Sequence, residues 1–368
     1  MSFSEIVGQE EAVRVLRGAL ASGHVSHAYL FYGPPGTGKS LTADIFARAI
    51  NCELGGDDSC DRCSSCLRSM HGNHPDVHVL APGSEKGENV GIQQMREMRS
   101  DVYLRPRLGR RKVYIVPEAD RLSPPACHTV LKTLEEPPPY VTIILIAPDL
   151  AEILPTVISR CQLIRFTPEP LDVVQAALVK RGIPEETAAL AAAYCEGRVG
   201  AAMRFAGDPV FLSRRTKVLD ILSSAGSAPR AVALKLAEDL QKLASQKGKS
   251  GAELPEPANI SAEQEAAPDR EAGYAGPEAA SGKADLQSVV DIALSWYRDL
   301  LVVRELGADG PLRNRDRLKE LQQLAAELSA PKIQDVLEFL TQARYYLERN
   351  ANPRLVFEQL MLKIMPGW

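Results

Sequence analysis

At 368 residues, with 45% apolar and 24% charged residues, the chain has the length of two or three domains and the composition of an ordinary globular protein. A formal net charge of −4 excludes a global basic footprint for nucleic acid, so any such contact has to come from a local patch. No apolar run approaches the roughly 18 residues of a membrane span, the first residues lack a basic-then-apolar signal pattern, and four of the seven cysteines cluster, which in a cytoplasmic chain points to metal rather than disulfides.

Val7-Gly8-Gln9 precedes an amphipathic helix carrying Ala12, Val13, Val15, Leu16 and Leu20. His27–Tyr32 is a short apolar run that predicts a buried strand, and Leu41, Ile45, Phe46 and Ile50 recur at helical spacing behind it. Between the two, Gly33, Gly38, Lys39 and Ser40 fit G-x-x-x-x-G-K-[ST], the phosphate-binding loop. A strand, a glycine turn and a helix start turn free N–H groups toward phosphate, and the helix dipole favours negative charge there. Lys39 is expected to reach the β- and γ-phosphates and Ser40 to hold Mg²⁺.

The helix runs to about Cys52, and a polar excursion follows over residues 53–75. Cys52, Cys60, Cys63 and Cys66 have the spacing C-x7-C-x2-C-x2-C. Four sulfurs so spaced close a structural zinc site with no open position. Spacing alone leaves open four reduced thiols in a loose loop, or an iron–sulfur cluster. His71, His74 and His78 read as surface or packing residues, because four sulfurs already fill the sphere.

Val77–Ala81 predicts a second strand, Gly91–Val102 a helix, Lys112–Val116 a third strand, Pro124–Glu135 a helix and Val141–Ala147 a fourth strand. The alternation implies a parallel sheet with both faces covered. Arg105, Arg107, Arg110, Arg111 and Lys112 form a basic run that either touches nucleic-acid phosphates or is a solvated turn. In P-loop ATPases a buried strand ends in an Asp that binds Mg²⁺ through water. Here Pro117 takes that place, Glu118 keeps the water-activating position, and Asp120 is expected to point elsewhere. Such a loss weakens hydrolysis more than nucleotide binding. Arg160, at the end of the short helix in Leu154–Cys161, suits an arginine finger given in trans, or an ordinary salt bridge to a nearby acid.

From Pro168 the strands stop. Pro170–Lys180, Glu185–Cys195 and Gly200–Ala206 predict three short helices. A further helical region begins near Phe211 and continues through Val218–Leu222 and Arg230–Leu243. Residues 245–284 are rich in Ala, Glu, Gly, Pro and Ser, with Tyr274 as their one aromatic, and read as a flexible insertion. Helices return at Leu286–Gly307, Arg313–Leu328, Pro331–Asn350 and Pro353–Ile364.

The order of Val7-Gly8-Gln9, His27-Ala28-Tyr29-Leu30-Phe31, the phosphate loop, the four-cysteine excursion, Gly109-Arg110-Arg111-Lys112-Val113-Tyr114 and Ser159-Arg160-Cys161 resembles the bacterial DNA polymerase III clamp-loader family, within the AAA+ superfamily. The resemblance covers nearly the whole chain. Trp296-Tyr297-Arg298-Asp299-Leu300 and Asn350-Ala351-Asn352-Pro353 resemble that family's helical collar. The cysteine module is the most specific feature, since most AAA+ proteins lack it.

The resemblance implies an α/β plus all-α fold. A RecA-like AAA+ core (1–167) carries an inserted four-cysteine zinc module (52–66), followed by a helical lid (168–208) and a C-terminal helical collar (209–368) with the insertion 245–284. It implies structural Zn²⁺ on Cys52, Cys60, Cys63 and Cys66, and an ATP/Mg²⁺ site at Val7, Gly33, Gly36, Gly38, Lys39 and Ser40. It implies tau/gamma and delta subunits as partners, and the sliding clamp and primed DNA through the assembled loader, in the cytoplasm and without a membrane. Within the family, tau/gamma members hydrolyse ATP, and delta-prime members are poor or inactive ATPases. Pro117, Ala147 at the polar sensor position and Gly200 at the sensor arginine position, beside an intact Ser159-Arg160-Cys161, resemble the delta-prime kind. That is a stator which gives Arg160 to a neighbour, with Glu118 as the residual water-activating group. The intact phosphate loop keeps a tau/gamma-type motor as the alternative. A nucleotide-gated DNA-binding module is a third reading, disfavoured by the acidic net charge.

Overall fold

The computed structural model describes residues 2–80, 92–122, 124–226, 229–245 and 283–365, so residues 246–282 of the expected insertion lie outside it. The chain divides into two compact units. The first holds the described residues of Met1–Val174 with Arg198–Ala201; the second holds those of Gln175–Gly197, Ala202–Gln264 and Pro277–Trp368.

The first unit alternates helix and strand: α1 (Glu10–Ala21), β1 (Ala28–Tyr32), α2 (Lys39–Ile50), α3 (Ser64–Met70), β2 (Val77–Val79), α4 (Ile92–Asp101), β3 (Lys112–Val116), α5 (Pro124–Glu135), β4 (Val141–Ala147), α6 (Pro155–Ile158) and β5 (Gln162–Arg165). All strands pair in parallel in the order β2-β3-β4-β1-β5. Every residue of β3 and β4 is buried, as a parallel sheet covered on both faces requires. Successive side chains alternate between faces. Leu30, Tyr114, Val116, Ile143 and Leu145 therefore pack with Met98 of α4 and Val130 and Leu134 of α5. Phe31, Val113, Ile115, Ile144 and Ile146 pack with Leu16 of α1 and Ile45 and Phe46 of α2. The strand order reverses at β1, which lies between β4 and β5, and the crevice at the carboxyl ends of the strands there is where such sheets bind ligands.

β5 goes beyond the expected four strands. Of its four residues only Ile164 is buried, so this edge strand lacks the apolar run that marks the others. It is defined by pairing instead: Tyr29, Leu30, Phe31 and Tyr32 of β1 stand opposite Gln162, Leu163, Ile164 and Arg165.

After α7 (Leu171–Lys180) the described chain is helical: α8 (Glu185–Tyr194), α9 (Val199–Ala206), α10 (Pro209–Ala225), α11 (Ala233–Ser245), α12 (Lys283–Leu306), α13 (Leu318–Glu327), α14 (Ala330–Glu348) and α15 (Pro353–Ile364). In the second unit Trp296 and Leu300 of α12 share one core with Leu222 of α10, Leu240 of α11, Leu340 of α14 and Phe357 of α15. Asp299 of α12 is fully buried yet satisfied. It accepts bonds from Arg313 N (3.0 Å), Asn314 N (2.7 Å), Asn314 Nδ2 (2.9 Å) and Arg298 Nη1 (2.9 Å). A buried charge persists only when paired and hydrogen-bonded in this way. Among the described residues no helix is long and apolar enough to cross a membrane.

Candidate functional site

β1 ends at Tyr32 and α2 begins at Lys39, so the phosphate loop spans the strand end and the helix start. Gly33 sits at φ 140°, and a Cβ there would lie 2.0 Å from the Phe166 carbonyl oxygen, so the loop can pass the residue after β5 only as glycine. Gly38 (φ 97°) precedes the helix in a left-handed conformation that glycine adopts without strain. The Gly36 carbonyl accepts bonds from Gly200 N (2.8 Å) and Ala201 N (3.3 Å). Gly200, which the resemblance sets at the sensor position, therefore meets the loop through its backbone.

Lys39 is 8% exposed. Its Nζ donates to the carbonyls of Gly33 and Pro34, the latter at 2.8 Å. Burial pushes its ammonium down to about 8, and the charge of Asp120 opposes that shift. Asp120 therefore acts on Lys39 through its charge, with no hydrogen bond or ion pair to it among the described residues. Ser40 is half-buried in the first turn of α2.

Val7 is half-buried beside a strong anchor. Gln9 donates from N and Nε2 to Glu169 Oε1 (2.8 and 3.0 Å) and from Nε2 to Thr167 O (2.6 Å), and its Oε1 accepts from Thr167 N (3.2 Å). Glu169 and Thr167 escaped the sequence reading because they lie far along the chain from Gln9.

At the end of β3, Pro117 offers no carboxylate, and Glu118 accepts a bond from Arg121 Nη1. Ala147 ends β4 opposite Tyr32, leaving an apolar side chain where a polar sensor is expected. Arg160 follows α6 and is held within its own unit. Nη1 donates to Thr156 O (2.9 Å), and Nη2 donates to Glu135 Oε1 (3.0 Å) at the end of α5. This contact in the single chain leaves both sequence readings of Arg160 open. The pair is 35% and 52% exposed, and exposed pairs contribute little.

The four cysteine sulfurs all lie within 4.8 Å of one another. Cys60 and Cys66 Sγ are 3.9 Å apart, against about 3.8 Å for two sulfurs on one tetrahedral ion at metal–sulfur bonds of about 2.3 Å. Cys63 N donates to Cys60 Sγ (3.3 Å), and Cys66 N donates to Cys63 Sγ (3.4 Å). These bonds help shape the thiolate turns. A bond from the Arg62 backbone, ahead of the other contributions, draws the Cys60 thiol down to about 6, whereas burial pushes that of Cys66 up. All four cysteines are free of disulfides, and the group can hold a metal ion.

The histidines lie outside this sphere. Ser65 Oγ donates to Asn51 O (2.7 Å), so its contact with His74 Nε2 (3.0 Å) assigns the proton to that nitrogen, while His74 Nδ1 accepts from Asp76 N (3.1 Å).

The basic run divides. Lys112 is buried, and its Nζ donates to Asp101 Oδ1 (2.7 Å) and O (2.8 Å). Arg111 Nη1 donates to Thr142 Oγ1 (3.3 Å). Arg105, Arg107 and Arg110 stand exposed in the preceding loop.

The family described as "DNA polymerase III, delta subunit" matches residues 8–170, and "DNA polymerase III, delta subunit, C terminal" matches residues 279–365. DNA polymerase III subunit tau of Bacillus subtilis is 28% identical over 98% of this chain and 61% of its own length. Subunit delta' of the same organism is 32% identical over 58% of this chain and 64% of its own. Subunit gamma of Buchnera aphidicola is 32% identical over 48% of this chain and 47% of its own. The chain thus spans from about half to just under two thirds of the length of these relatives. Two family matches that together cover most of the chain, and relatives named as tau, gamma and delta' subunits, lead to one conclusion: the chain belongs to the DNA polymerase III clamp-loader subunit family.

Proposed function

We propose that this chain is the delta-prime-type stator of a DNA polymerase III clamp loader, a subunit that lends Arg160 to a neighbouring ATPase site and turns over little ATP itself. The observation that carries the reading is the end of β3. Pro117 replaces the Mg²⁺-binding acid, and Glu118, the remaining water-activating candidate, is drawn onto Arg121. Ala147 removes a further polar group from the same edge.

Lys39 and the N–H groups of the loop formed by Gly33, Gly36 and Gly38 would bind ATP phosphates, with Ser40 toward Mg²⁺ and Val7 beside the base. To do so Lys39 leaves the Gly33 and Pro34 carbonyls. Arg160 leaves Glu135 at small cost, because the pair is exposed. Cys52, Cys60, Cys63 and Cys66 would hold Zn²⁺, which supplies structural closure and no chemistry. On this reading residues 1–167 are the core, 168–208 the lid and 209–368 the collar. The partners are tau/gamma and delta subunits, with the sliding clamp and primed DNA met through the assembled loader in the cytoplasm.

A tau/gamma-type motor is the second reading. It is favoured by the loop sequence, by the charge of Asp120 beside Lys39, and by similarity to Bacillus subtilis tau along 98% of this chain. ATP turnover by the purified chain, beside Lys39→Ala and with Mg²⁺ in excess, separates the two. Equal rates support the stator; wild-type turnover well above the variant makes the chain a motor.

A further inference from the structure

The loop between α4 and β3 combines features that the nucleotide and metal sites do not use. Tyr103, Leu104 and Leu108 are 55%, 58% and 61% exposed. Arg105 and Arg107 are exposed and pair with no acid among the described residues. Arg110 reaches sideways to the cysteine module: its Nη2 donates to Glu53 O (3.2 Å), next to Leu54, which is 61% exposed.

The loop is held rigid from beneath. Asp76, fully buried, accepts bonds from the backbone N–H groups of Arg107, Leu108 and Gly109, each at 2.7 Å. Arg111 N donates to Asn51 Oδ1 (2.9 Å), and the Tyr140 hydroxyl donates to Tyr103 O (2.8 Å). A buried carboxylate is costly unless its lone pairs are satisfied. Here all three bonds go to shaping one surface loop. Such preorganisation removes the ordering cost that binding otherwise carries.

We propose that Tyr103–Arg110, with Leu54, is a docking surface for a partner protein segment that sets carboxylates around a large apolar side chain. The unpaired guanidinium groups of Arg105 and Arg107 supply the charge complement, and Leu104, Leu108 and Leu54 supply the apolar contact. Tyrosine and arginine on a rigid scaffold are typical of protein-binding hot spots. A nucleic-acid backbone would use the arginines and leave the leucines in water.

The test is fluorescence anisotropy on the full chain with a short labelled peptide in which Asp and Glu flank Leu and Phe. The expected result is saturable binding that falls by about tenfold or more in Arg105→Glu/Arg107→Glu and likewise in Leu104→Ser/Leu108→Ser. A peptide with serine at its apolar positions should bind as weakly as those variants allow. All four side chains are exposed, so the variants keep the fold. No saturable binding, or binding indifferent to either pair, overturns the proposal. So does a labelled primed-DNA duplex that binds more tightly than the peptide and depends on the arginines alone.

Discussion

Asp76→Asn tests how the first unit shapes its surface. The wild-type carboxylate accepts three backbone bonds of 2.7 Å with no solvent exposure. A hydrogen bond to a charged group contributes about 1.5–3 kcal/mol, and an unmet buried donor costs a similar amount. An amide retains one acceptor oxygen and turns its NH₂ toward an N–H. At least one of the three donors is then orphaned and the others are weakened, for a loss of about 3–5 kcal/mol. Burial pushes the Asp76 carboxyl up, but the bonds from Gly109, Arg107 and Leu108 and the nearby His74 outweigh it, so the folded-state value lies below the ordinary one. That contribution is full above the unfolded value near 3.9 and is lost as pH falls through the folded value. The gap between wild type and variant should stay constant above pH ~4 and shrink below it. Trp296 lies in the second unit, so its fluorescence does not report this change. Near-UV circular dichroism of the tyrosines in urea, with hydrogen exchange of the Arg107, Leu108 and Gly109 amides, does. A loss under ~1 kcal/mol with unchanged exchange at those amides would refute the reasoning.

Three further outcomes follow from the sites. Metal analysis should return one zinc per chain, and Cys63→Ser should release it and loosen the module around α3; a metal-free protein with titratable Cys52, Cys60, Cys63 and Cys66 thiols would contradict the assignment. ATP affinity should fall as pH rises past about 8, where Lys39 loses its charge, and Lys39→Arg should flatten that profile; an unchanged wild-type profile between pH 7 and 9 counts against it. The same depressed value means that the unfolded chain binds more protons between about 8 and about 10.4, so this group makes stability rise with pH across that window, measurable by urea titration against Lys39→Met.

Much of the first unit was legible in the sequence. Lys112–Val116, Pro124–Glu135 and Val141–Ala147 form the strand, helix and strand expected of them, because continuous apolar runs and helical spacing are local signals. The phosphate loop and the cysteine spacing were legible for the same reason. β5 was not, because an edge strand with one buried residue has no apolar pattern to display. Nor were the Asp76 bonds, the Asn51 bond to Arg111 or the Gln9–Glu169 clamp, whose partners are brought together only by the sheet. The basic run looked uniform in sequence, yet Lys112 belongs to the interior and Arg105 to the surface, a division set by where β3 enters the sheet. Arg160 left two readings open; its partner Glu135 ends a helix 25 residues earlier, a contact made by tertiary packing.

The most direct test of the stator account replaces Arg160 in a loader reconstituted from the same organism's subunits and follows DNA-stimulated ATP turnover. Arg160→Ala should leave nucleotide binding by this chain intact and slow the neighbour's turnover by a factor of about 10³–10⁵ at that site. Glu135→Ala, which removes the residue that holds Arg160 in its own unit, should leave that turnover at or above the wild-type rate. Unchanged partner turnover in Arg160→Ala would contradict the finger and leave Arg160 as a salt bridge to Glu135.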